Sequence, residues 1–142
     1  YLPALVAVAG GGRESAWGGD RGSTSLRLVL DPLLAVCTPG ADLVILVKPQ
    51  FEAGRAEADR GRGVIRDPEV WREVLASTID AAAARGAVIM GLMVSPIRGA
   101  AGNVEFFLHV RAPGPGVVAR PSLGAGEVAR VVQEAAGAAH GG

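Results

Sequence analysis

Three groups of residues in this chain have types and positions suited to chemistry. Lys48 closes the apolar run Leu43-Val44-Ile45-Leu46-Val47, and Pro49 stops a strand from continuing past it. A run without polar alternation predicts a strand buried on both faces. The carboxyl end of such a strand is where open α/β sheets bind ligands, although a lysine can also simply leave a core strand for solvent. Glu105 stands near the start of VEFFLHVR, one step from residues that must be buried. Arg55, Arg60, Arg62 and Arg66 share a glycine-containing stretch with few opposing acids. They make either a local basic patch for phosphates or an ordinary solvated loop. His109 lies inside the last apolar run, where a hydrogen-bonded strand residue is expected, and no second ligand is spaced to join it in a metal site.

The elements that must hold these residues are legible to different degrees. Ser23 to Cys37 places Leu26, Leu30, Leu33, Leu34 and Cys37 at helical spacing, with Ser23 or Ser25 as N-cap and Pro32 as a kink. Thr38, Pro39 and Gly40 end that helix and lead into the strand that starts at Asp42. Asp67-Pro68-Glu69 carries three agreeing helix-start signals: an acidic N-cap, proline at the first position and an acid in the first turn. Val70, Val74, Leu75, Thr78, Ile79, Ala82 and Ala83 form the stripe of that helix, and Arg85-Gly86 closes it. Val88 to Val94 reads as a buried strand whose two methionines fill the core. After the turn from Ile97 to Gly102, Val104 to Arg111 is a further strand. Residues 112–126 are a Pro/Gly linker, and Glu127 to Ala139 is an alanine-rich helix.

Helices alternating with buried strands define an α/β sheet with helices on its faces. Residues 1–22 are a poorly defined glycine-rich terminus in which the apolar LVAVA precedes GGGRESAWGGDRG. Residues 23–111 carry the α/β pattern, and residues 112–142 follow as linker and helix. Three clear strands are half of a doubly wound domain, which predicts a piece of a longer chain.

Bulk properties exclude several classes. The 142 residues fit one domain with a real core, and 21 glycines with 9 prolines make up much of what is not apolar. Fourteen acidic and fourteen basic residues cancel, so affinity for nucleic acid must come from a local patch. A single cysteine, Cys37, rules out an internal disulfide framework and suits a reducing cytoplasm, where the protein is expected. No apolar run is long enough to span a bilayer.

The segments LVKPQFEAGR, GVIRDPEVWREVL, SPIRGAAGN and GNVEFFLHVR, in that order, resemble the TlyA family, whose members resemble FtsJ-type ribosomal RNA 2'-O-methyltransferases. The resemblance covers roughly Ser25 to Arg111. It implies the carboxyl-terminal part of a Rossmann-like methyltransferase domain with an antiparallel last strand, S-adenosylmethionine as cofactor and ribosomal RNA as partner. It also implies catalytic roles for Lys48, in the VKPQF motif, and Glu105, in the GN-x-E motif. An ungapped match places the family's catalytic aspartate at Asp20, in DRGSTSL. Arg55, Arg62 and Arg66 would contact RNA phosphates, and Asn103 would fix its turn or touch the substrate. The family's RNA-binding S4 domain, first catalytic lysine and glycine-rich cofactor loop lie upstream of anything that matches here. Some members are described as hemolysins, yet the sequence holds no basic amphipathic helix of the membrane-surface kind.

Two functions follow as expectations. One is methylation of an RNA ribose, in which Lys48 takes the hydroxyl proton and Glu105 on a neighbouring strand orients the amine. The other is a non-catalytic RNA-binding or interaction fragment, suggested by the arginines and the missing cofactor segment. The first requires Lys48 and Glu105 to share one sheet edge, which happens only if their strands run antiparallel.

Overall fold

A computed structural model describes residues 2–8, 26–53, 60–118 and 123–140. In chain order these form β1 (Leu2–Val8), α1 (Leu26–Ala35), β2 (Cys37–Val47), α2 (Pro49–Glu52), α3 (Pro68–Ala84), β3 (Val88–Val94), a 3-10 turn (Ala100–Gly102), β4 (Phe106–Arg111) and α4 (Ala125–His140). The four strands make one sheet in the order β1-β2-β4-β3. β1 runs parallel to β2, and β4 lies antiparallel to both of its neighbours. The chain is therefore a mixed α/β fold whose last strand enters between two earlier ones in the reverse direction.

α3 forms where its start signals predict. Asp67 is the N-cap, its Oδ1 accepting the Glu69 amide at 2.9 Å, and Pro68 opens the helix at the one position where its missing N–H costs nothing. Arg72 pairs with Glu69 along the same exposed turn. The buried face is Val70, Trp71, Val74, Leu75, Thr78, Ile79 and Ala82, so Trp71 joins the expected stripe and Ala83 faces solvent instead. Trp71, 2 % exposed, meets Phe106 edge-on at 6.1 Å between ring centroids.

α1 is shorter than its apolar spacing suggests. It ends at Ala35, and Cys37 begins β2 instead of closing the helix. The strand accommodates Pro39 and Gly40 by an irregularity against β1, where Leu2 pairs Cys37 but Ala4 already pairs Asp42. Cys37 remains a packing residue: its thiol donates to the Leu33 carbonyl at 3.3 Å, and burial pushes its pKa up.

The core explains two further departures. Leu43, Ile45, Val47, Phe106, Leu108 and Val110 join one apolar cluster with residues of α1, α3 and α4. Val44, Leu46, Phe107 and His109 lie on the opposite face and are only half-buried. β2 is thus buried on one face, not both, and among the described residues the long helices feed only one side of the sheet. Met90 and Met93, expected as core filler, are 41 % and 53 % exposed. Met93 pairs with Phe107 on the open face, and Met90 is the extra residue where the β3–β4 register slips between Ile89 and Gly91. β1 occupies part of the glycine-rich terminus as an edge strand. No helix among the described residues is long and apolar enough to cross a membrane.

Candidate functional site

β2 stops at Val47 because Pro49 has no amide hydrogen for the ladder and a ring already set for a helix start. Lys48 is the N-cap of α2, in extended backbone at φ −111° and ψ 98°. The last pair of the β2–β4 ladder is Val47 with Phe106. One further step of the same register sets Lys48 opposite Glu105, so the antiparallel direction brings both to one sheet edge.

The two charges do not touch. Among the described residues Lys48 forms no ion pair, and its Nζ lies 5.7 Å from the centroid of the Phe51 ring, within cation–π range. Glu105 is 6 % exposed and accepts a hydrogen bond of 2.9 Å from Gln50 Nε2. The Gln50 amide thus turns its nitrogen toward the acid. That leaves Gln50 Oε1 buried with no partner among the described residues. The expected direct orientation of Lys48 by Glu105 is not seen: the acid is bonded to Gln50, and the amine rests over Phe51.

The SPIRGAAGN turn shapes the pocket for the acid. A Cβ on Gly99 would lie 2.1 Å from Glu105 Oε2, so only glycine leaves room for the carboxylate where it is. Ser95 and Glu105 close the end of the β3–β4 ladder through Ser95 N to Glu105 O at 2.9 Å, and Gly99 N donates to Asn103 O at 2.8 Å. Ala101 adopts the left-handed φ of 56° inside this turn.

Asn103 is 2 % exposed, and its amide spans two loops: Oδ1 accepts from Ile65 N at 3.0 Å, and Nδ2 donates to Gly63 O at 2.8 Å. Of its two expected roles, fixing a turn is the one this geometry supports, because both ends of the amide are already engaged away from solvent. Trp71 Nε1 adds a bond of 3.2 Å to the Ile65 carbonyl. The segment before α3 is therefore fastened from two sides, and Arg62 and Arg66 project from it, exposed. Arg66 and Arg98 line a groove of about 340 Å³ with Trp71, Gly102 and Val104. Arg98 is exposed and donates to the Gly102 carbonyl at 3.3 Å. Asp20 and Arg55 lie outside the described residues.

Sequence reading alone missed Gln50, Gly99, Arg98 and Glu52. Glu52 accepts the first amide of α1, Leu26 N, at 3.0 and 3.2 Å, placing a carboxylate at that helix's positive end. The available signal for Gln50 was a polar residue in the first turn after Lys-Pro, within an otherwise apolar motif. On the open face, His109 Nε2 meets Asp42 Oδ1 at 2.9 Å, and Arg111 Nε lies 3.6 Å from the same atom. That hydrogen bond, with the positive fields of His109 and Arg111, holds the Asp42 carboxyl below its usual range against a smaller opposing effect of desolvation. Among the described residues no three His, Cys, Asp or Glu side chains gather as a metal site.

The class these features define is a mixed α/β protein with a buried acid and a lysine at the edge where its last strand reverses. The chain's relatives are TlyA-type proteins, as its motifs indicate. It is 47 % identical over 111 residues to YqxC of Bacillus subtilis (strain 168), which is named by inference as an rRNA methyltransferase; the match covers 78 % of this chain and 39 % of that protein. It is 37 % identical over 107 residues to the 16S/23S rRNA (cytidine-2'-O)-methyltransferase TlyA of Mycobacterium tuberculosis (strain CDC 1551 / Oshkosh), covering 75 % of this chain and 40 % of TlyA. Among solved structures, one named by inference as a hemolysin, from Lactococcus lactis, superposes with a TM-score of 0.67 at 37 % identity, over 78 % of this chain and 50 % of that one. The chain thus spans about two fifths of the length of these curated relatives. No family model matches it.

Proposed function

We propose that this chain is part of an enzyme that methylates the ribose 2'-oxygen of ribosomal RNA. We further propose that its sheet is the carboxyl-terminal portion of a Rossmann-like methyltransferase sheet, with β4 as the reversed last strand. The observation that carries the reading is the shared edge of Lys48 and Glu105, fixed by the β2–β4 register. The names of the relatives supply the reaction class.

Methyl transfer to a ribose hydroxyl needs that oxygen held in line with the methyl group and its proton removed as the new C–O bond forms. Lys48 is the proposed acceptor, taking the proton on Nζ in its neutral form. Its extended backbone and half-buried stem let the amine reach out from the strand end. Glu105, held by Gln50, supplies negative charge at the same edge to orient the amine. Arg62 and Arg66, exposed on a fastened segment, would meet RNA phosphates and set the register of the RNA without reading its sequence.

S-adenosylmethionine is the proposed methyl donor. Among the described residues no strand–glycine–helix turn forms a cradle for it, so no residue is assigned to the cofactor and no step is derived through it. The exposed arginines also suit a second reading: a non-catalytic RNA-binding segment.

The full-length protein incubated with ribosomal subunits and S-adenosylmethionine labelled in its methyl group tests the first reading. Label recovered in alkali-resistant dinucleotides, the mark of a 2'-O-methyl ribose, is the expected result. Binding of RNA with no label transferred would favour the second reading and reject the first.

A further inference from the structure

We propose that Gln50 is a positioning residue that bridges Lys48 and Glu105 and keeps them from pairing directly. The inference rests on the reading of Lys48 as the reactive amine. Three observations converge. Gln50 is 8 % exposed and gives its Nε2 to the buried Glu105 carboxylate at 2.9 Å, which fixes which way the amide faces. Its Oε1 is buried and lacks a partner among the described residues, a costly state for an acceptor that water does not reach. Lys48 is two residues away at the same edge, opposite Glu105 by register, and its amine rests over Phe51.

An acceptor beside an anion favours a cationic donor, and Lys48, two residues away at the same edge, carries one. Its four-carbon stem allows it to leave the Phe51 face and donate to Oε1 on the timescale of side-chain rotation. Charged groups on the adjoining segments are engaged elsewhere: Glu52 on the Leu26 amide, Arg98 on the Gly102 carbonyl, and Glu69 with Arg72. With Gln50 between them, the carboxylate orients the amine through a neutral amide. Without it, acid and amine would lock into an ion pair, and the amine would lose reactivity.

Lys48 is the one lysine in the chain, so its amine can be followed alone. In the unaltered chain, nuclear Overhauser contacts are expected between the Lys48 ε-methylene and the Gln50 side-chain amide protons; contacts to the Phe51 ring only would overturn the proposal. Acylation of Lys48 at fixed pH, followed by mass spectrometry of its peptide, gives the second readout. Gln50→Met should slow acylation about threefold or more, the scale of a partly exposed ion pair. Adding Glu105→Gln to Gln50→Met should restore the original rate, because the acid that captures the amine is gone. An unchanged rate in Gln50→Met, or a slowing that persists in the double variant, refutes the bridge. Should Gln50→Met not fold, the Overhauser contacts in the unaltered chain still decide. Neither measurement involves RNA or methyl transfer, so failure here is distinguishable from failure of the proposed function.

Discussion

Glu105 is held by three neighbours that act by different physics. Val47–Phe106 pairing sets its position, Gln50 supplies a hydrogen bond, and Gly99 supplies empty space. The last is the easiest to test. Gly99→Ala places a methyl group on the carboxylate, which must rotate away and surrender the Gln50 bond, at a cost of about 1–3 kcal/mol for the buried groups left unpaired. Thermal unfolding should register that loss, and the Gln50 side-chain amide protons should lose their protection from exchange. A variant that kept both stability and protection would show that the pocket does not constrain the acid. Asp42 offers a separate test in pH. Its carboxyl is held below the usual range when folded, so the folded state takes up that proton less readily than the unfolded chain. The associated stability is present above about pH 4 and is lost as pH falls through the lowered folded value. Asp42→Asn should therefore flatten the acid limb of a stability–pH curve below about pH 4. An unaltered limb would mean that the His109 and Arg111 contacts contribute nothing in solution.

Elements were legible in the sequence where local signals agreed and illegible where tertiary contacts decided. α3 begins at the predicted proline because Asp67, Pro68 and Glu69 each favour a helix start independently. β3 matches its predicted bounds, and β4 starts one residue after Glu105. Cys37 was misplaced in α1 because its spacing fits a helix, while pairing with β1 draws it into β2. The loop carrying the arginines shows the same limit. Its composition announced a basic segment, yet what fixes it is Asn103, 40 residues from Gly63 in sequence, and no local pattern reveals that bond. Asn103→Leu should release the segment. The amide of Ile65 would lose its buried acceptor, costing about 1–3 kcal/mol, and its hydrogen exchange should accelerate while the amides of α3 remain protected. Equal acceleration in α3 would indicate that Asn103 supports the whole fold and not the loop alone.

At the scale of the whole molecule, the sheet order β1-β2-β4-β3 is what makes a site from residues 57 positions apart in sequence. Had β4 run parallel to β2, Lys48 and Glu105 would stand at opposite ends of the sheet. The direction of the last strand was readable only through the family resemblance; hydrophobic pattern alone leaves strand direction open. The one-sided helix layer was not readable either, since apolar runs such as LVILV and VIMGLMV look the same whether one face or both are covered. The central claim is that this edge carries methyl transfer with Lys48 as proton acceptor. It is tested most directly by single-turnover methyl transfer to ribosomal RNA in the full-length protein, comparing the unaltered enzyme with Lys48→Ala. Removing a half-buried side chain that forms no ion pair among the described residues should leave the thermal midpoint nearly unchanged. The transfer rate should fall by about 10²–10⁴-fold, the usual contribution of a positioned base. A Lys48→Ala enzyme that transfers methyl groups at close to the original rate would contradict the account.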